Sequence, residues 1–114
     1  MAADDHDQRD TAGALSLETS RDGDVRTVRL GGELDLAGAP ALEAAIEEAM
    51  ADAERRLVID FSALTFIDST GIAILVAAMG DERAAGRLAF VPSPAPAVTR
   101  VLKLTGVEER MPLA

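Results

Sequence analysis

The stretch that decides the fold is residues 57–79, LVIDFSALTFIDSTGIAILVAAM, in which two apolar runs flank the polar motif Asp68-Ser69-Thr70-Gly71. The first run, Leu57 to Phe61, is short and mostly apolar, which predicts a central strand covered on both faces. The second run, Ile72 to Met79, is too long for a neighbouring strand and is followed by glycine and charged residues. It therefore predicts a helix, and a buried strand followed by a helix is the repeating unit of α/β proteins.

Upstream of this stretch, the sequence predicts an antiparallel hairpin followed by a helix. Apolar and polar residues alternate around residues 15–18 and again around residues 25–30, and Asp22-Gly23 lies between the two segments, as hairpin turns favour. Pro40 then suits the first turn of a helix. The apolar residues that follow recur at helical spacing and predict one buried face: Leu42, Ala45, Ile46, Ala49, Met50 and Ala53.

Downstream, Leu88 to Val91 predicts another buried strand, and Val98, Val101 and Leu102 predict a third amphipathic helix that ends at Thr105-Gly106. Residues 107–114 are expected to add a short final strand. The predicted class is α/β, with a mixed sheet of four to five strands, an N-terminal antiparallel hairpin and three or four helices. We assign residues 13–114 to this single domain and residues 1–12, which are acidic and polar and include His6, to a disordered tail.

The composition narrows the possible functions. The 114 residues include no cysteine, and 20 acidic against 11 basic residues give a net charge of −9. This charge argues against nucleic acid as a partner, because contacts to phosphate need clustered Lys and Arg. No signal peptide is recognisable, and no apolar run approaches the ~20 residues that cross a bilayer. We expect a cytoplasmic protein that binds neither membranes nor nucleic acid.

Catalysis by the hydroxyl groups of Ser69 and Thr70 finds little support in the sequence. A nucleophile elbow needs a glycine two residues before the hydroxyl and a histidine base, whereas the only histidine here is His6 in the predicted tail. Asp35, Asp60 and Asp68 match no recognised metal-ligand spacing, and no phosphate-binding loop of the nucleotide hydrolases is present. We therefore expect no enzyme activity, metal or cofactor.

Two interpretations of the Asp68-Ser69-Thr70-Gly71 motif remain open on residue types alone. In the first, its polar side chains only cap the helix, because their oxygens accept hydrogen bonds from free backbone N–H groups. In the second, the helix N-terminus presents a hydroxyl for phosphorylation, since these N–H groups and the helix dipole accommodate phosphate. Ile74, which lies off the apolar face of this helix, is similarly open to partner contact or to packing inside the domain.

The sequence resembles the bacterial anti-sigma factor antagonists, whose fold is the STAS domain (sulfate transporter and anti-sigma factor antagonist). The resemblance covers about residues 14–113. It rests on four segments in the family order, which are Gly32-Glu33-Leu34-Asp35, Leu57 to Ser62, Phe66 to Ile72 with its Asp-Ser-Thr-Gly motif, and Val98 to Val107.

This resemblance implies a regulatory partner switch. It implies that Thr70 is the phosphoacceptor, with Ser69 as the fallback, and that Asp35 lies in a loop near the phosphorylated helix end. The predicted partner-binding residues are Asp35, Asp68, Ser69, Gly71 and Ile74. The unphosphorylated protein is expected to bind an anti-sigma factor with serine/threonine kinase activity and so release a sigma factor, and a PP2C-type phosphatase is expected to reverse the phosphorylation. The alternative is a STAS scaffold or ligand-sensing domain that phosphorylation does not control.

Overall fold

The computed structural model describes residues 8–52 and 56–114, with side chains from residue 13 onward. Within those ranges, five strands form one sheet in sequence order, accompanied by three α-helices. The strands are β1 (Gln8–Ala12), β2 (Leu15–Asp22), β3 (Val25–Leu34), β4 (Arg56–Ile67) and β5 (Leu88–Val91). The helices are α1 (Ala39–Met50), α2 (Ser69–Met79) and α3 (Pro96–Leu104), and single 3₁₀ turns occur at Glu82–Ala84 and Glu108–Arg110.

The sheet is mixed, as the sequence predicts. β2 pairs with β3 as an antiparallel hairpin that closes between Asp22 and Val25, and Gly23 takes the positive φ of 61° that the turn requires. β3, β4 and β5 run parallel, with α1 and α2 as the connections between them. Parallel neighbours need such crossovers, so the order of strands and helices follows from the alternating pattern of the sequence.

The N-terminal region differs from the sequence prediction. Gln8–Ala12 form β1, which pairs antiparallel with β2 from Gln8 opposite Thr19 to Ala12 opposite Leu15. This polar segment was expected to be disordered, but the outer edge of β2 offers it a row of backbone hydrogen-bonding groups that does not depend on apolar side chains. The predicted boundary between residues 12 and 13 therefore falls inside the paired structure. Residues 1–7, including His6, lie outside the described residues.

α1 ends at Met50, so the predicted continuation to Ala53 is not part of the helix, and Ala53 itself lies outside the described residues. Pro40 lies in the first turn, where its missing N–H costs no hydrogen bond. The predicted face is buried at Leu42, Ile46, Ala49 and Met50, and Ala45 is half-buried and packs against the core.

The core lies between the sheet and its helices. Phe61 of β4 and Phe90 of β5 stack at its centre with ring centroids 5.6 Å apart, a contact of about 0.5–1.5 kcal/mol beyond the buried area. α3 packs against β4 and buries Val98 and Leu102. The predicted final strand is reduced to one bridge, in which Leu113 pairs with Phe90, because residues 108–110 form a 3₁₀ turn instead.

No helix within the described part of the chain is long and apolar enough to span a membrane.

Candidate functional site

The site begins at Asp68, the residue between β4 and α2. Its backbone is extended, and its side-chain Oδ1 accepts a hydrogen bond from the Gly71 N–H at 3.1 Å. Its own N–H donates to the carbonyl of Leu34 at the end of β3, also at 3.1 Å. Asp68 therefore caps α2, as the first of the two interpretations requires, and ties the start of this helix to the neighbouring strand.

Gly71 allows α2 to lie close to the ends of two strands. A Cβ at this position would be 2.7 Å from Cγ1 of Ile67 and 2.8 Å from Cδ2 of Leu34, which is too close for any real contact. Gly71 is buried, so the structure places this predicted partner residue inside the domain, where it determines how close the helix start lies to the sheet.

The two hydroxyl residues occupy the first two positions of α2. Ser69 is exposed and Thr70 is half-buried. The first N–H groups of a helix have no acceptor within the helix, and the Asp68 carboxylate takes the N–H of Gly71. Within α2, the first N–H that donates to a backbone carbonyl is that of Ile72, which binds the Asp68 carbonyl. The N–H groups of Ser69 and Thr70 therefore have no acceptor within the helix, and with the helix dipole they favour an anion here.

Asp35 lies at the same edge of the sheet. Leu34 and Ile67 are register partners on the parallel strands β3 and β4, so Asp35 and Asp68 follow them side by side. The Asp35 Oδ1 accepts from the Ala37 N–H at 3.1 Å, and its carbonyl accepts from Gly38 and Ala39. These bonds hold the loop between β3 and α1 in a tight turn, with the half-buried Asp35 beside the start of α2.

Ile74 lies away from this surface. It is only 8% exposed and packs within the core, beside Ile46 and Met50 of α1. The structure thus packs Ile74 inside the domain, and the partner contact that the resemblance implies for it stays a prediction. Its position four residues after Thr70 on a helix with apolar residues nearly all round explains why the sequence left the choice open.

Two exposed apolar side chains belong to residues next to the site in the sequence, and the sequence pattern assigned them no role. Leu36 follows Asp35 in the loop and is 73% exposed, and Phe66 near the end of β4 is 41% exposed. Phe66 and Ile67 are adjacent in a strand, so only one of them can face the core, and the structure buries Ile67. That alternation is the feature of the sequence that could have identified Phe66 as a surface residue.

The site therefore combines an exposed serine and a half-buried threonine at a helix N-terminus with two carboxylates, and two exposed apolar residues are close to them in the chain. No group of three or more potential metal ligands occurs among the described residues. The arrangement is suited to protein contact and to modification of a hydroxyl, because exposed large apolar groups beside polar ones are typical of interaction surfaces.

One family model and several known proteins are similar to this chain. The model described as "Mlab, STAS domain" matches residues 17–113. The anti-sigma-F factor antagonist RsfB of Mycobacterium tuberculosis is 51% identical over 53 residues, which are 46% of this chain and 43% of that protein. That match thus spans less than half the length of the relative. The anti-sigma-B factor antagonist of Staphylococcus aureus is 24% identical over 97 residues, 85% of this chain and 90% of that protein.

Among solved structures, an anti-sigma factor antagonist from Mycobacterium paratuberculosis superposes with a TM-score of 0.76 at 35% identity. The alignment covers 87% of this chain and 84% of that chain. The structural similarity therefore extends over most of the chain, and the residues matched by the family model include the strands and helix that build the site.

Proposed function

The chain belongs to the STAS domain family, and on this basis we propose that it is an anti-sigma factor antagonist that binds an anti-sigma factor and so frees a sigma factor. The names of its relatives support this role. The observation that carries the proposal is the surface at the start of α2, where Ser69 and Thr70 follow the Asp68 cap. The exposed Leu36 comes directly after Asp35 at the same edge of the sheet, and the exposed Phe66 comes two residues before Asp68.

The surface has the composition of a protein contact. Leu36 and Phe66 supply apolar area that water covers in the free chain, and its removal from water contributes roughly 25 cal/mol per Å². Asp35, Asp68 and the Ser69 hydroxyl supply polar groups around this area. We propose that the partner presents an apolar patch with donors or basic groups at its rim.

We further propose that phosphorylation of Thr70, with Ser69 as the fallback acceptor, switches this contact off. A phosphate adds about −1.5 to −2 charge beside the Asp35 and Asp68 carboxylates. The fold itself tolerates this group, because free N–H groups and the positive end of the α2 dipole lie next to it. The partner instead has to cover a charged and strongly hydrated group, which is costly.

The loss of affinity expected from this phosphate is large enough to switch partner binding off. A loss of only ~3 kcal/mol of binding free energy weakens association more than a hundredfold. The partner we propose is an anti-sigma factor with serine/threonine kinase activity, which would both bind this surface and phosphorylate it. A PP2C-type phosphatase would restore the binding form.

Phosphosite mapping tests the proposal. The purified chain is incubated with Mg-ATP and each anti-sigma factor kinase encoded in its own genome, and the modified residue is located by mass spectrometry. We expect one phosphate on Thr70, and on Ser69 when Thr70 is replaced by valine. Phosphate found only on exposed residues elsewhere, such as Thr65 or Thr105, would contradict the proposal.

A further inference from the structure

A second candidate binding site lies at the opposite end of α2 from Ser69. There the last residue of the helix, Met79, borders a cleft of about 600 Å³ between β5, the turn at residues 84–86 and the C-terminal residues 109–113. We propose that this cleft binds a small anionic molecule with an apolar body, such as an aliphatic or aromatic carboxylate.

Two arginines give the cleft its preference for an anion. Arg56 at the start of β4 and Arg110 in the last 3₁₀ turn both line it and are exposed. Neither takes part in an ion pair within the described residues, whereas Arg21, Arg26 and Arg83 each do. Glu109 also lines the cleft, so two guanidinium groups face one carboxylate in a chain of net charge −9. Guanidinium groups bind carboxylates through paired hydrogen bonds.

The edge of β5 adds backbone groups to the cleft. The Phe90 N–H donates to the Pro112 carbonyl, and the Phe90 carbonyl accepts from the Ala114 N–H, so both groups of Phe90 face outward. Alternate residues of a strand point their N–H and C=O groups to the same side. Leu88 therefore also directs its backbone N–H and C=O groups to the outer edge of the sheet. The C-terminal segment lies along this edge beside Phe90 but leaves it at Met111, so the cleft opens beside Leu88.

The shape of this edge favours a small molecule over an added peptide strand. Pro112 to Ala114 already occupy the edge beyond Leu88, so only one residue of β5 is open to pairing. The backbone N–H of Leu88 can donate to one carboxylate oxygen of the proposed ligand. The walls formed by Met79, Leu88, Met111 and Leu113 offer apolar contact to the remainder of the ligand, and the volume is typical of small-molecule sites.

An NMR titration of the full ¹⁵N-labelled chain tests this inference, with hexanoate, its neutral counterpart hexanamide, and inorganic phosphate as probes. We expect hexanoate to shift the amide resonances of Gly86, Leu88 and Ala89 saturably, with a Kd in the millimolar range. Arg56→Gln combined with Arg110→Gln should weaken this binding by about tenfold or more, because charge-assisted hydrogen bonds are lost. Arg29→Gln combined with Arg100→Gln removes the same net charge from exposed positions elsewhere and should leave the Kd unchanged.

The remaining outcomes overturn the proposal. Shifts that do not saturate, or that saturate at amides remote from the cleft, show that no hexanoate site exists there. If hexanamide binds as tightly as hexanoate, the cleft does not require an anion. If inorganic phosphate binds as tightly as hexanoate, the apolar walls contribute nothing to binding. An equal loss in the two double variants shows that overall charge, and not this pair of arginines, is responsible.

Discussion

The Asp68 carboxylate accepts a hydrogen bond from the Gly71 backbone N–H at 3.1 Å, and the two residues together set where α2 starts relative to the sheet. Asp68 binds the end of β3 through its own N–H, while Gly71 leaves room for the Leu34 side chain. The exposed hydroxyl of Ser69 and that of Thr70 are thereby held between a fixed cap and a close packing contact. This relationship leads to tests of stability, binding and modification.

Replacing Asp68 with alanine should destabilise the domain by about 1 kcal/mol, because the Gly71 N–H loses its acceptor. Asp68→Asn keeps a side-chain oxygen at the same place and should therefore destabilise the domain less than the alanine substitution does. The free energy of unfolding in urea measures both changes. If the alanine variant is as stable as the unmodified chain, the cap does not hold the helix.

Gly71→Ala should cost roughly 1–3 kcal/mol, because the new methyl group forces Leu34 or Ile67 to move in a packed core. Gly80→Ala is the matched control at the other end of α2, where a Cβ would be 3.5 Å from its nearest neighbour and φ is −88°. The urea midpoints of the two variants should differ clearly. Similar midpoints would mean that the start of α2 has room to adjust.

Leu36→Ser and Phe66→Ser should each weaken binding of the anti-sigma factor by about tenfold or more, since apolar anchors dominate such contacts. Both side chains are exposed, so the unfolding free energy should change little. Leu104→Ser is the control, because Leu104 is 80% exposed on α3, outside the proposed surface. Calorimetric titration gives the affinities. A larger loss with Leu104→Ser than with Phe66→Ser would place the interface elsewhere.

A pH-dependent contribution to stability is expected where Arg83 joins the turn after α2 to α1. Its guanidinium donates to Asp81 and Glu47, both at 2.8 Å. These hydrogen bonds hold the pKa of each carboxyl below its ordinary value. Because the folded-state pKa is lowered, the stabilisation is present above the ordinary carboxyl range near pH 4 and is lost as the pH falls through the folded values.

Arg83→Gln should accordingly lower the unfolding free energy at pH 7 and have less effect at an acidic pH below the lowered folded-state pKa values of Glu47 and Asp81, where both carboxylates are protonated. The groups are exposed, so the change should be small and should shrink in high salt. Arg29→Gln, which removes a charge from an exposed position on β3, controls for net charge. A destabilisation by Arg83→Gln that is equal at both pH values would rule out the ion pairs as its cause.

Much of the fold could be predicted because its sequence features are local. Asp22-Gly23 specifies a hairpin turn, and the apolar run from Ile72 to Met79, which follows the polar Asp68-Ser69-Thr70-Gly71 motif and precedes Gly80, predicts a helix. β1 could not be predicted, because its stability depends on backbone pairing with β2 and its side chains carry no apolar pattern. Pairing of this kind is a property of the assembled sheet.

The candidate site was predictable only in part. Asp68 has the residue type and position of a helix cap, and the structure confirms that hydrogen bond. Ile74 could not be placed, because nearly every side of α2 is apolar and the packing of α1 decides which side is covered. Leu36 was missed because a single apolar residue in a loop does not show from the sequence which way it faces, whereas the alternation of Phe66 with Ile67 at the end of β4 could have identified Phe66 as exposed.

The central claim is that phosphate at Thr70 controls partner binding, and the affinity of one chain in two states tests it most directly. The unmodified chain and the chain phosphorylated at Thr70 are titrated calorimetrically, in the absence of ATP, into the same anti-sigma factor, with Thr70→Val as the reference that lacks the Thr70 hydroxyl. We expect the unmodified chain and Thr70→Val to bind alike, and the phosphorylated chain to bind more than about a hundredfold more weakly. Equal affinity of the phosphorylated and unmodified chains would contradict the account.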